Sequence, residues 1–298
     1  MNPFFLLYNK IRGKRKDHLL KTKTQKLTPD IILKNYWRNN EQFADLFNAV
    51  LFQEKEWIKA SELTESDTEE SSILEHRESL QSIKASRDTI RICKKSTALG
   101  AELVLLGLEH QEHIHYAMPM RIMGYDYAAY KKQYDINAKN YKKSDELSED
   151  EFLSKMKATD KFIPVISIVI YYGEKDWDGA KSLHDMLAIP KELVHYVADY
   201  KMHLIEAKNN QLLFHNENNQ NLFQLLKLLL DTSLSKSQKE EKIIAYHTEH
   251  GIDKTVAMTV AGVTNTHFDY RLFEKEDGTM ISFWREVQEE GRAKGIIE

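Results

Sequence analysis

Apolar residues recur along this chain with two different periods. Phe43, Leu46, Phe47, Val50 and Leu51 fall three and four positions apart, which predicts an amphipathic helix over about residues 41–52. Further on, Asp88-Thr89-Ile90-Arg91-Ile92-Cys93-Lys94 alternates polar and apolar positions and is rich in β-branched side chains, the pattern of a half-buried strand. Residues 102–108 are almost continuously apolar and suit a central strand. The short connection between the two runs predicts a hairpin.

A second helix is expected from about Ala117. Pro119 fits its first turn, where no backbone N–H is needed, and Met118, Ile122, Tyr125 and Ala129 form one apolar stripe. Residues 163–172 read as another buried strand, stopped at Gly173. Beyond about residue 216 the pattern turns helical: Leu222, Phe223, Leu226, Leu229 and Leu230 make a strong stripe, suited equally to an interface or to packing on its own domain. A shorter amphipathic helix is expected near residues 282–290. The order helix, hairpin, helix, strand describes an α/β sheet with helices against it. It divides the chain into a lead-in (1–29), an α/β domain (30–215) and a helical C-terminal region (216–298).

Composition narrows the class. The 298 residues are 42% hydrophobic and 30% charged, with a net charge of −4 and one cysteine, as in a water-soluble globular protein. A lone Cys93 excludes a disulfide scaffold and a Cys-rich zinc site, and it suits a reducing cytoplasm. No stretch approaches the ~18 to 20 apolar residues that span a bilayer. The apolar run near Met1 has no positive residues before it, the wrong order for a secretory signal. The charge is uneven. Residues 1–29 carry eight basic side chains against Asp17 alone, a local +7, while residues 62–78 hold seven acids opposed by Arg77. The acidic run would repel a nucleic-acid backbone and belongs on a face turned away from one. A second acidic stretch, residues 144–151, reads as a surface loop leading into a short helix.

The candidate chemistry lies at the ends of the predicted hairpin. Asp88 opens one strand, and Glu109 with Gln111 ends the next; residues two apart on a strand share a face. Antiparallel pairing brings the Asp88 end beside the Glu109 end. Two carboxylates meeting there form an oxygen-rich, negative site of the kind Mg²⁺ favours, since that ion takes one or two carboxylates together with waters and phosphates. A polar end to an apolar strand is also commonplace, so spacing alone leaves the reading open. His110, His113 and His115 suit zinc or copper, but the sequence places no third ligand with His113 and His115.

Leu108-Glu109-His110-Gln111, followed by Tyr116-Ala117-Met118-Pro119-Met120-Arg121-Ile122-Met123-Gly124-Tyr125-Asp126, resembles the signature of the recombination-promoting nuclease (Rpn) family. Its members are also described as YhgA-like transposases and belong to the PD-(D/E)XK nuclease superfamily. Phe43-Ala44-Asp45-Leu46-Phe47-Asn48, Arg87-Asp88-Thr89-Ile90, Ile170-Tyr171-Tyr172-Gly173-Glu174-Lys175-Asp176-Trp177 and Ser182-Leu183-His184-Asp185-Met186-Leu187 resemble further family segments in the same order. The likeness covers about residues 30–208, and residues 289–295 resemble the Glu/Gly/Arg-rich tails common in the family.

The resemblance implies a restriction-endonuclease-like core, a mixed sheet flanked by helices, with a helical C-terminal extension. It implies metal-dependent cleavage of DNA, linked to recombination or mobile-element transfer. Asp88 matches the metal-binding aspartate, Glu109 the glutamate of the (D/E)xK element, and Gln111 stands where the wider superfamily has lysine. Glutamine orients a water but adds no positive charge, so the metal carries more of the electrostatic work. In the first helix Ala44 and Asn48 occupy the places of the family's Asp and Lys, which leaves Asp45 as a substitute match for the helix acid. Arg121 is a candidate phosphate contact. The implied cofactor is Mg²⁺, with Mn²⁺ or Ca²⁺ as substitutes. The implied partners are DNA and a second copy in a homodimer, with no membrane. A different class of function remains: an inactive relative that keeps the fold as a nucleic-acid-binding or interaction module, as the −4 charge and the acidic run 62–78 would suit.

Overall fold

The chain is represented by a computed structural model that describes residues 29–53, 55–65, 89–108, 114–141 and 148–264. Among the described residues two helices come first, α1 (Pro29–Arg38) and α2 (Asn40–Phe52). Strands β1 (Leu63–Glu65), β2 (Thr89–Ser96) and β3 (Ala101–Leu108) follow, then helices α3 (Met118–Tyr141) and α4 (Glu149–Ser154). Strands β4 (Val165–Tyr171) and β5 (His203–Glu206) precede helices α5 (Glu217–Leu229), α6 (Lys236–His250) and α7 (Lys254–Val263).

The strands form one five-stranded mixed sheet in the order β1-β2-β3-β4-β5. The first three are antiparallel neighbours, and β3, β4 and β5 run parallel. A parallel pair needs a long crossover, which α3 supplies between β3 and β4. The predicted hairpin is present, with its turn at residues 97–100 and Gly100 at φ +57°, a left-handed value that glycine adopts without a Cβ penalty. The predicted helix at 41–52 and the helix from about 117 are also present. The strand expected at 163–172 is shorter, Val165–Tyr171. The expected helix near 282–290 lies outside the described residues.

Alternation along β3 builds three layers. Ala101, Leu103 and Leu105 pack with Leu33, Phe43, Leu222 and Val260 of the helical layer α1, α2, α5 and α7. Val104 and Leu106 face the other way, onto Met118 and Ile122 of α3. Thus the inner stripe of α3 covers one face of the sheet. The Leu222–Leu230 stripe is buried in the helical layer on the other face, so of its two possible uses the structure shows packing within the chain. No helix among the described residues is long and apolar enough to cross a membrane.

Lys94 interrupts the apolar face of β2. It is fully buried, with Nζ 4.8 Å from the centroid of the Phe43 ring. Its ammonium donates to the Arg38 carbonyl at 2.5 Å, at the C-terminal end of α1, and to Asn40 Oδ1 at 2.6 Å. A cation is favoured there because the last carbonyls of a helix lack intrahelical partners. The Asn40 amide donates onward to the carbonyls of Ala60 and Leu63, tying the α1–α2 junction to the edge strand β1.

Burial pushes the Lys94 ammonium down from 10.5 to about 8, against a smaller opposing pull from Glu65, its neighbour across the β1–β2 pair. Between those two values the unfolded chain holds a proton that the folded chain has released. This residue's contribution to stability therefore rises as pH climbs from about 8 to 10.5, by on the order of 3 kcal/mol. Lys94→Met should remove the rise. Urea unfolding of both proteins across that interval checks this; parallel stability profiles would show that Lys94 is not perturbed.

Candidate functional site

The ends of four strands form one transverse row. Thr89 pairs with Leu108, Leu108 with Tyr171, and Tyr171 with Glu206. Asp88 is the residue before Thr89, and Glu109 the residue after Leu108. Asp88, Glu109 and Gln111 themselves lie outside the described residues, as do His110 and His113. The described sheet therefore defines the edge at which the candidate site would stand, without its acids.

Two consecutive tyrosines fasten β4 at this edge. Successive side chains of a strand point to opposite faces. Tyr171 packs edge-to-face on Trp177 in the α3 layer, with ring centroids 5.2 Å apart. Tyr172 lies in the helical layer opposite, where its hydroxyl accepts a hydrogen bond from Trp37 Nε1 of α1 at 3.0 Å. The next residue, Gly173, has no room for a side chain: a Cβ there would lie 2.0 Å from Cζ and the hydroxyl oxygen of Tyr171.

Beyond Gly173 the chain folds into a loop that Asp176, Asp185, Asp199 and the β5 residue Glu206 help to hold. Glu206 Oε2 accepts the backbone N–H of Trp177 at 2.9 Å, while Lys181 Nζ stands 3.7 Å from Oε1. Asp176 pairs with Lys208 at 2.9 Å, an ammonium contact that lowers its carboxyl pKa. Asp185 accepts the backbone N–H groups of Lys181 and Ser182, and Asp199 those of His184 and Tyr200; these bonds hold both carboxyls below their ordinary value. Residues 173–187 thus form a hydrogen-bonded loop continuing from the edge.

Asp45 of α2 is buried and committed. Oδ1 accepts the His215 backbone N–H at 2.8 Å, and Oδ2 accepts Asn219 Nδ2 at 2.7 Å. It docks α5 onto α2 and lines a cleft of about 400 Å³ with Glu41, Glu56 and His215. Arg121 lies near the start of α3. Its Nη2 donates to the Tyr125 hydroxyl at 3.1 Å. Partial burial, and secondarily the Arg121 charge, lower the His115 pKa. Among the described residues no three His, Cys, Asp or Glu side chains converge as a metal site would require.

Two polar features escaped the sequence reading. Asp126 accepts Ser167 Oγ of β4 at 2.5 Å and also the Tyr200 hydroxyl, so one buried carboxylate joins α3, the sheet and the 200 region. Burial, reinforced by Asp126, raises the Tyr200 hydroxyl pKa. The available signal was an acid adjoining the inner apolar stripe of α3. Glu206 is the second; no pattern in the sequence marked the four-residue β5 that places it on the row.

Searches against protein-family models, curated proteins and solved structures return no match for this chain.

Gly173→Ala should destabilise the protein by about 1–3 kcal/mol, because the buried Tyr171 ring is held by Trp177 and cannot turn aside. Combining it with Tyr171→Leu should cost less than the sum of the two single changes. A double-mutant cycle by urea denaturation measures the coupling, and strict additivity would count against the contact.

Proposed function

We propose that the chain is a cytoplasmic, metal-dependent endonuclease that hydrolyses DNA phosphodiester bonds, with Asp88, Glu109 and Gln111 as its working residues, on a restriction-endonuclease-like core. The observation that supports this is the register of β2 and β3. Thr89 and Leu108 are direct partners, so a ladder continued by one residue at that end would set Asp88 opposite Glu109. Directly opposed residues of an antiparallel pair share a face and stand about 5 Å apart. The mixed topology is further support, because it offers a sheet end where β3 and β4 finish side by side, with α3 beginning nearby.

The proposed ligands are two carboxylates, hard oxygen donors that suit Mg²⁺ and also accept Mn²⁺ or Ca²⁺. When bound, the ion supplies positive charge toward a phosphodiester and acidifies a water. The chain's own part is to hold that ion through Asp88 and Glu109 and to orient the attacking water through the Gln111 amide, which accepts and donates hydrogen bonds. Arg121 is proposed as a phosphate contact one helical turn into α3. Asp45 is not included, since both its oxygens already serve the α2–α5 junction. Cutting both strands of a duplex would use two copies of the chain.

Asp88→Ala and Glu109→Ala should each abolish Mg²⁺-dependent nicking of supercoiled plasmid while leaving the circular dichroism spectrum intact. Mg²⁺ should raise the melting temperature of the native protein and not of the variants. Undiminished cutting by both variants would sink the assignment. DNA binding with no cutting in Mg²⁺, Mn²⁺ or Ca²⁺ would instead fit an inactive relative of such nucleases.

A further inference from the structure

Side chains two apart on a strand share a face, so parity assigns each candidate acid a side of the sheet. On β2, Ile92 and Lys94 face the helical layer, and Asp88 stands four and six positions before them. On β3 the same face carries Ala101, Leu103 and Leu105, a series that Glu109 continues. On β4 and just past it, that face carries Ile168, Ile170 and Tyr172. A sheet continued to these positions would therefore carry Asp88, Glu109 and Tyr172 on one side, that of α1.

They would also share a row. Leu108 and Tyr171 are direct partners in the parallel β3–β4 ladder, so one further step would set Tyr172 beside Glu109. The neighbouring ladder already takes that step. The Ala207 N–H donates to the Tyr171 carbonyl at 2.9 Å, one residue past the pair Tyr171–Glu206. Adjacent strands lie about 4.8 Å apart, within reach of a tyrosine and a glutamate that lean together.

What Tyr172 brings to the row is a hydroxyl. Tyr172 and Trp37 are each 1% exposed, and the Trp37 indole N–H donates to the Tyr172 hydroxyl oxygen at 3.0 Å. Indole nitrogen only donates, so this bond uses the accepting side of the phenol and leaves its proton for an acceptor. Packing sets the direction of the donor: Trp37 meets Tyr36 edge-to-face at 4.9 Å and lies 6.3 Å from the Phe223 ring. Phe43, Phe47 and Phe223 fill the same layer with bare rings, whereas a buried hydroxyl is costly unless its hydrogen bonds are made.

A carboxylate that binds a metal ion is itself held by hydrogen bonds, which orient the ligating oxygen. We propose that Tyr172 is a positioning residue of the candidate site. Its hydroxyl, aimed by Trp37, donates to the Glu109 carboxylate and fixes which oxygen is presented for the ion. This rests on the nuclease reading above, and it gives Tyr172 no contact with DNA or with the ion.

The test uses the full chain. Tyr172→Phe keeps the ring and removes the hydroxyl. It should raise the Mg²⁺ concentration for half-maximal nicking of supercoiled plasmid by about ten- to a hundredfold, while nicking at saturating Mg²⁺ falls by a smaller factor. The Mg²⁺ midpoint of the rise in melting temperature, read without DNA, should move by the same factor. Trp37→Phe leaves the hydroxyl without its guide and should shift both midpoints the same way by less. Tyr171→Phe deletes a hydroxyl one residue away on the opposite face and should leave both midpoints unchanged. A Tyr172→Phe protein that melts lower without metal but keeps the native Mg²⁺ midpoints would overturn the proposal, by showing that the hydroxyl is structural. Equal shifts from Tyr171→Phe would overturn it as well. A native protein that neither cuts nor is stabilised by Mg²⁺ would remove the nuclease reading and this inference together, which sets that failure apart from the other two.

Discussion

Strand β3 must be buried on both faces, and most of the architecture follows from that. Leu103, Val104, Leu105 and Leu106 are consecutive and at most 1% exposed, so neither side of the strand tolerates water. One face requires α3, which also provides the crossover that a parallel β4 demands. The other face requires a layer too wide for one helix, which α1, α2, α5 and α7 fill together. The row of strand ends at Thr89, Leu108, Tyr171 and Glu206 is a by-product of the same arrangement.

Apolar burial brings layers together but is poorly directional, and here buried polar groups set their positions. Lys94 fastens the α1–α2 junction above the sheet. Asp45 and Asn219 lock α5 to α2, and Asn219 also accepts the Tyr36 hydroxyl of α1 at 2.9 Å. Asp126 does the corresponding work on the opposite face. Each sits where an apolar side chain would have filled space equally well. What it adds is a requirement that one particular partner be in one particular place.

The parts of this fold legible in the sequence are those with enough repeats to show a period. The α2 helix, the β2–β3 hairpin, the inner stripe of α3 and the apolar stripe of α5 all qualify. Strands β1 and β5 have three and four residues, too few to display alternation, and β1 lies at the head of an acidic run that argues for a loop. Lys94 shows another limit. It has the same parity as Ile92 and so belongs to the buried face, yet its charge argues for solvent; only the Arg38 carbonyl and Asn40, distant in sequence, resolve the conflict. At the candidate site, residue types at strand ends pointed to Asp88, Glu109 and Gln111. The loop that extends this edge was not legible as structure, since its carboxylates bind backbone N–H groups that no periodicity reveals.

The strand order has a consequence for how the protein is made. Because the sheet runs in the order of the sequence, each strand finds its neighbour already synthesised when it leaves the ribosome. The sheet can therefore grow by addition at one side, without rearrangement. Helix α1 has no such advantage. Leu33 of α1 belongs to the same core as Val256 and Val260 of α7, and α1 and α7 pack directly together. Helix α1 thus keeps an apolar flank open until α7 has been made. During that interval it is the exposed flank of α1, and not the sheet, that chaperones or premature self-association would find.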